Sequence, residues 1–174
     1  AFGGFTWCLL DFLRTNRWST VGLCSGIISG LVAATPTSGV IPLWASVVLG
    51  IVSGFICNCA TYIKVWLKVD DALDVLAEHG IAGVIGLFFN AIFAADYVLG
   101  YDGYTEHPGG WINHHWSQMY KQLAYIGATA GYSMMVTALI CFVLDKVPYC
   151  KLRVDEEAEE AGMDEDQIGE FAYD

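Results

Sequence analysis

The sequence has few charged residues, and they are placed unevenly. Asp, Glu, Lys and Arg make up 16% of its 174 residues, hydrophobic residues make up 55%, and there are only eight Lys and Arg. Ten of the 19 acidic residues follow Val154, where no basic residue occurs, so the rest of the chain has a net charge near −1, compared with −11 for the whole. A body without a basic patch excludes nucleic acid as a partner.

The six cysteines lack the spacings that would indicate a metal site or a redox pair. No C-x-x-C motif is present, and most of the cysteines lie in apolar runs. We therefore interpret them as small buried side chains, and no metal or cofactor is predicted. The sequence also has no starting methionine and no signal-peptide pattern before its first apolar run. We expect it to be the later part of a longer protein.

Long apolar runs account for most of the composition. Five can be drawn, and the last three are long enough to cross a bilayer core, which takes roughly 20 helical residues. The first is expected to be a truncated helix and the second a short or tilted one. The sequence thus predicts an all-α, polytopic bundle of transmembrane helices over residues 1–146, followed by a tail over 147–174. The five predicted segments are 1–13, 20–35, 41–67, 72–95 and 119–144.

The basic residues indicate how the helices are oriented. Seven of the eight fall on one side of the predicted topology, and Lys121 alone falls on the other. Because cytoplasmic loops are enriched in Lys and Arg, the acidic tail is predicted to be cytoplasmic. The seven are Arg14, Arg17, Lys64, Lys68, Lys146, Lys151 and Arg153.

Glycines recur four residues apart in two of the apolar segments. They are Gly22, Gly26 and Gly30 in the second segment, and Gly50 and Gly54 in the third. Small residues at this spacing let membrane helices cross closely, so these glycines are interpreted as packing positions.

Three aspartates precede the fourth apolar segment in a D-D-x-x-D pattern. We expect them to stabilise the helix start, with Asp71 as the N-cap and Asp74 inside the first turn, where the helix dipole favours carboxylates. In prenyltransferases such a pattern holds magnesium against a diphosphate. That alternative needs a second acidic cluster and facing cations, which the apolar segments lack. The three residues are Asp70, Asp71 and Asp74.

His79 lies two helical turns further along, beside Gly83 and Gly86. It could be a core histidine hydrogen-bonded to a neighbouring helix. Ionisable groups deep in a membrane more often mark a substrate or proton pathway, and imidazole can relay a proton near neutral pH. The adjacent Glu78 has no function that the sequence reveals.

Two polar regions have simpler interpretations. The loop 96–118 contains His107, His114 and His115 with two tryptophans, which indicates a solvated loop with interfacial anchors more than a metal site. The tail is charged enough to be disordered, but it also has apolar residues with which it could dock. Those residues are Met163, Ile168, Phe171 and Tyr173.

Several of these motifs together resemble the ammonium transporter family of Amt, Mep and Rh proteins. D-D-A-L-D-V at 70–75 followed by H-G-I-A-G at 79–83 resembles the family's penultimate core helix, which carries one of two pore histidines. S-G-I-I-S-G-L-V-A-A-T-P at 25–36 is similar to another family helix. L-R-V at 152–154, E-A-G-M-D at 160–164 and G-E-F-A-Y at 169–173 are similar to its tail. The details are most similar to the fungal methylammonium permease branch.

The resemblance implies an eleven-helix protomer of two inverted five-helix repeats plus a final helix, assembled as a homotrimer in the plasma membrane. This chain would supply the second repeat and the final helix, and the upstream half would supply the rest of the pore. By position, His79 would be a pore histidine, Val75 would line the apolar pore, and Ser25 and Thr35 would border it. Ammonium or methylammonium would be the substrate. A receptor that senses ammonium on the same architecture is the alternative, and a prenyltransferase is a weaker one.

Overall fold

The computed structural model describes residues 1–147, 152–163 and 169, and every regular element in that part of the chain is helical. The all-α prediction is confirmed. The chain forms two compact units, Ala1–Ile126 and Gly127–Asp174. Its α-helices are α1 (Phe2–Thr15), α2 (Thr20–Ala34), α3 (Leu43–Ala60), α4 (Tyr62–Leu67), α5 (Ala82–Phe93), α6 (Asp96–Leu99), α7 (Ser117–Asp145) and α8 (Glu156–Ala161). A π-helix, Leu76–Ile81, leads directly into α5.

The boundaries of the early helices follow from local chemistry. Ser19 caps α2, because its hydroxyl accepts a hydrogen bond from the Gly22 N–H at 2.9 Å. α2 gives way to a 3₁₀ turn, Thr35–Thr37, which carries Pro36 near its start, as expected for a residue that cannot donate to an α-helix. α1 ends at Asn16 in the left-handed conformation, with φ of 54°.

Four helical stretches in the described part of the chain are long and apolar enough to cross a membrane: Thr20–Thr37, Leu43–Leu67, Leu76–Phe93 and Ser117–Asp145. α1 has 14 residues and is not one of these four stretches. The prediction of a multi-pass membrane protein is therefore confirmed by the described residues.

The predicted glycine crossings are present in the first unit. A Cβ built at Gly26 or at Gly54 would lie 2.5 Å from the carbonyl oxygen of Gly3, closer than real side chains approach. α1, α2 and α3 therefore meet backbone to backbone at these residues. Gly86 similarly allows α5 to approach the backbone of Ala33 on α2. The buried core between the helices comprises Trp7, Ala33, Leu49, Cys57, Ala82, Ile85 and Phe89.

The prediction for the start of the fourth segment was wrong. Helical structure was expected from residue 72, with Asp74 in the first turn, but the helical stretch begins at Leu76. Asp74 has φ of 54°, a left-handed conformation that no α-helix contains. The Asp71 side chain instead binds the N–H groups of Val75 and Leu76. These contacts delay the helix until after Asp74.

Gly83 and Gly86, which follow His79 at helical spacing, have different surroundings in the described part of the chain. No heavy atom lies within 4 Å of a Cβ built at Gly83, whereas Gly86 is buried against α2.

The second unit contains the remainder of α7 and the short helix α8. Arg153 donates two hydrogen bonds to Glu159 Oε1, at 3.0 and 2.8 Å, and one to Oε2 at 3.0 Å. This bidentate salt bridge attaches Arg153, at the start of the tail, to α8. Three of the four apolar tail residues considered for docking, Ile168, Phe171 and Tyr173, lie outside the described residues.

Candidate functional site

His79 lies in the π-helix, on the part of its surface that the rest of the first unit leaves uncovered. His79 is exposed, and Val75, one turn before it, is 51% exposed. The break in regular α-helix occurs at this point of a membrane-spanning stretch. π-turns inside helices are rare and are frequent at functional sites. The structure thus presents the predicted pore pair His79 and Val75 together on one open surface.

Glu78 points the opposite way, into the bundle. Its exposed fraction is 5%, and its carboxyl contacts the Ser25 side chain on α2. Sequence reasoning assigned Ser25 to the border of the pore and gave Glu78 no function. The sequence did show an acidic residue inside an apolar segment. It did not show that the Glu78 side chain would face the bundle, because the sequence does not reveal the π-turn.

Asp71 caps the helical stretch from outside it. The Val75 N–H donates to its Oδ1 at 2.8 Å, and the Leu76 N–H donates to its Oδ2 at 2.9 Å. These two N–H groups hold the pKa of the Asp71 carboxyl below its usual range, since they stabilise the charged form. The expected capping function of Asp71 is present, although the helix it caps starts later than predicted.

Asp74 is held by a cation from α4. Lys64 Nζ lies 2.8 Å from Asp74 Oδ1, and it also donates to the Asp71 carbonyl oxygen at 2.9 Å. Asp70 is exposed and near enough to Lys64 for their charges to interact. Lys64 thus ties Asp74 and the Asp71 backbone to α4, which fixes the segment before the π-helix.

This arrangement does not fit a magnesium-diphosphate site. Both carboxylate oxygens of Asp71 already accept backbone hydrogen bonds, and Asp74 is paired with Lys64. A D-D-x-x-D metal site needs such oxygens free for the cation. Within the described residues, no cluster of three or more His, Cys, Asp or Glu side chains is placed to hold a metal ion.

A cavity of about 360 Å³ lies between α1, α2 and the α3–α4 region, and Arg14 and Lys64 are among the basic residues that line it. The polar residues lining it include Asp11, Arg14, Ser25, Asn58, Lys64 and Asp74.

A hydrogen-bonded group that sequence reasoning missed forms one wall of this cavity. Asn58 is 3% exposed; its Nδ2 donates to Asp11 Oδ1 at 3.0 Å, and its Oδ1 accepts from Arg14. Asp11 and Arg14 belong to α1 and Asn58 to α3, so the group ties the two helices together. The signal was a pair of polar residues, Asp11 and Asn58, inside apolar segments.

The other predicted residues occupy less central positions. Thr35 is exposed at the end of α2, and its hydroxyl donates to the Leu31 carbonyl at 3.0 Å. In the loop after α5, His107 Nδ1 accepts from the Gly109 N–H at 3.1 Å. Trp111 and Trp116 pack together there with ring centroids 5.4 Å apart.

The sequence is similar to known transporters along its whole length. The model of the Ammonium Transporter Family matches residues 1–173. Ammonium transporter MEP1 of Saccharomyces cerevisiae is 67% identical, and MEP3 of the same yeast is 68% identical. Each match covers 99% of this chain and 35% of the relative.

The fold agrees with that similarity. The crystal structure of Candida albicans Mep2 matches with a TM-score of 0.83 and 49% identity, over 90% of this chain and 34% of that one. The chain therefore spans about a third of the length of the relatives it matches. With its apolar helices, its motifs and its family match taken together, the chain belongs to the ammonium transporter family.

Proposed function

We propose that this chain is part of an ammonium transporter, with His79 and Val75 lining the path of the substrate. The observation that carries the proposal is that both residues are exposed, Val75 just before the π-turn and His79 within it, at the start of a membrane-spanning stretch. The nearby aspartates are engaged in capping and in the Lys64 ion pair. The open surface therefore presents the His79 imidazole next to apolar side chains. The carboxylates of Asp71 and Asp74 are not free to bind a cation there.

The chemistry of such a surface suits ammonium better than a metal ion. A bare cation at the centre of a bilayer is penalised by several kcal/mol. NH₄⁺ avoids this cost if it loses a proton and crosses as NH₃, and an imidazole can accept and pass on that proton near neutral pH. Potassium has no proton to lose, so an apolar path with a histidine relay excludes it. Ammonium and methylammonium are the proposed substrates.

The rest of the machinery would come from outside this chain. An upstream half would close the path opposite His79, as in transporters built from two inverted repeats, and the full protomers would assemble as a homotrimer in the plasma membrane. Residues 1–146 would be the membrane body. Residues 147–174 would form a cytoplasmic tail, since the Lys and Arg residues lie on that side.

The test is uptake of labelled methylammonium by cells that lack their own ammonium transporters and express the full-length protein. Saturable uptake that unlabelled ammonium competes for and potassium does not is the expected result. Absence of uptake, together with an intact ammonium-dependent growth signal, would replace the transporter with a receptor. Residues 1–174 produced alone are expected to give no selective uptake in liposomes, and selective uptake would contradict the need for an upstream half.

A further inference from the structure

His107, in the loop that follows α6, makes a hydrogen bond that only a neutral imidazole can make. Its Nδ1 accepts from the Gly109 N–H at 3.1 Å. A ring nitrogen accepts a hydrogen bond only while it carries no proton, so the proton of the neutral ring lies on Nε2. Imidazole is the side chain that ordinarily changes charge between pH 5 and pH 8. A change of pH in that range can therefore remove the bond between His107 and Gly109.

The backbone that donates this bond is fixed against the end of α5. Gly109 and Gly110 are both buried, and the Gly110 N–H donates to the Ala94 carbonyl oxygen at 2.7 Å. A Cβ built at Gly110 would lie 2.5 Å from the Ala91 carbonyl oxygen, so the loop backbone lies directly on the last turn of the helix. These contacts contain no titratable group, and they hold the Gly109 N–H in place at any pH.

Protonation of His107 at Nδ1 would turn the acceptor into a second donor. The ring N–H and the Gly109 N–H would then point at each other, and two donors cannot share a hydrogen bond. A buried N–H that loses its acceptor is left with an uncompensated desolvation cost. Because the backbone at Gly109 is fixed, the His107 side chain is the part that has to move away.

The neighbouring side chains give the charged ring another place to bind. His107 lines a cavity of about 500 Å³ together with Asp96, Thr105, Glu106 and Pro108. Two of these lining residues are charged, Asp96 from α6 and Glu106 from the loop itself, and both are acidic. A nearby carboxylate stabilises a protonated imidazole. The neutral ring thus has its partner at Gly109, whereas the protonated ring has its partners across the cavity.

We propose that His107 is a pH-operated latch for residues 103–108 of this loop. The neutral ring holds the segment to the fixed backbone at Gly109 and Gly110. When Nδ1 takes a proton from water, the hydrogen bond to Gly109 breaks and the segment is released, while the bond from Gly110 to Ala94 remains. The predicted topology places this loop on the outer face of the membrane, so the latch responds to the pH of the medium. The inference does not depend on the path past His79.

The experiment measures hydrogen exchange of the Gly109 and Gly110 amides in the full-length protein in liposomes, at pH 8 and at pH 5. Taking the ratio of the two exchange rates cancels the pH dependence of the exchange chemistry, because both amides belong to glycines in the same stretch. His107→Asn places an oxygen that does not titrate near the position of Nδ1, and His107→Gln serves the same purpose if His107→Asn does not fold. The matched control is His114→Asn, which removes another exposed imidazole of the same loop.

We expect the ratio of Gly109 to Gly110 exchange to rise at least about tenfold from pH 8 to pH 5 in the wild type and in His114→Asn. In His107→Asn the ratio should be the same at both pH values. A ratio that does not change with pH in the wild type overturns the inference. A full rise in His107→Asn overturns it as well, and so does loss of the rise in His114→Asn, which would assign the response to the other imidazole.

Discussion

The ammonium group of Lys64 lies 2.8 Å from a carboxylate oxygen of Asp74, and this contact joins α4 to the start of the next membrane-spanning stretch. Lys64 also donates to the Asp71 carbonyl at 2.9 Å. Each side chain of the pair is only about a quarter exposed, at 27% and 26%, so solvent screens the attraction less than at an open surface. The pair therefore fixes where the segment that carries His79 begins.

Replacing Lys64 with Met is expected to destabilise the full-length protein. The change removes the charge that compensates Asp74 and leaves a partly buried carboxylate without its partner. The thermal midpoint of the purified protein should fall by a few degrees. Lys68→Met is the control, since Lys68 is exposed at the end of α4. Equal midpoints for the two variants would show that the Lys64–Asp74 pair contributes no stability.

Gly26→Ala is expected to disrupt the crossing of α1 and α2. The new Cβ would lie 2.5 Å from the Gly3 carbonyl oxygen and 2.6 Å from the Trp7 Cβ, so the helices must separate. Gly30→Ala on the same helix is the matched control, because its Cβ would meet Gly3 at an ordinary 3.7 Å. Folded yield in detergent should drop several-fold for the first variant and stay near wild type for the second. Similar yields would contradict the close crossing.

Asp71 gives a prediction about pH. Its pKa is lowered in the folded protein by the Val75 and Leu76 N–H groups. Its contribution to stability is therefore complete above the unfolded pKa, near 4, and is lost as the pH falls through the lower folded value. Thermal midpoints measured between pH 6 and pH 3 should fall less steeply in Asp71→Asn than in the wild type. Identical slopes would show that the cap carries no pH dependence.

Variants of Asp71 also distinguish the hypothesis that it caps the helix from the hypothesis that it binds a metal ion. Asn keeps an oxygen for the backbone N–H groups, so Asp71→Asn should retain most of the folded yield, while Asp71→Ala should shift the folded-to-unfolded ratio by about fivefold. If the aspartates held magnesium, both replacements would be equally damaging. The wild type would then also release heat on titration with magnesium and a prenyl diphosphate.

The parts of the fold that depend on local patterns could be predicted from the sequence. The second apolar segment is predicted at 20–35, and α2 spans Thr20–Ala34. The apolar run alone sets these bounds closely, and in the structure Ser19 caps the start of the helix and Pro36 follows its end. The glycine spacing likewise indicated the crossing at Gly26. These features depend on residues within one or two turns of each other, which a sequence displays directly.

The parts of the fold that depend on contacts between distant residues could not be predicted from the sequence. Asp74 adopts a left-handed conformation next to a lysine from an earlier helix, and no pattern within the fourth segment indicates that. Within the π-turn Glu78 is buried and the neighbouring His79 is exposed. A regular α-helical projection of the sequence contains no π-turn, and it gave no position for Glu78.

His79→Ala is expected to leave membrane insertion intact, because an apolar residue is cheaper than imidazole in lipid. Labelled methylammonium uptake by cells expressing the full-length variant should fall by at least about tenfold, or potassium should begin to compete with it. Val75→Ala is a useful companion, since it widens an apolar wall without removing a proton acceptor. Unchanged uptake and unchanged exclusion of potassium in His79→Ala would assign the imidazole a purely structural function.

The tail is expected to regulate transport through its sequence and not only through its charge. Arg153 and Glu159 already form a fork at its start, but an exposed pair of this kind contributes only about 0.2–1 kcal/mol and weakens with salt. Charge attraction alone is therefore too weak to hold the tail against the membrane-spanning helices. Docking would also need the apolar residues near the end of the tail.

Truncation after Cys150 should leave a protein that reaches the membrane and transports poorly, and a scrambled tail of identical composition should behave like the truncation. The measurement is methylammonium uptake normalised to surface protein. Wild-type uptake with the scrambled tail would mean that the tail is a passive, solvated extension.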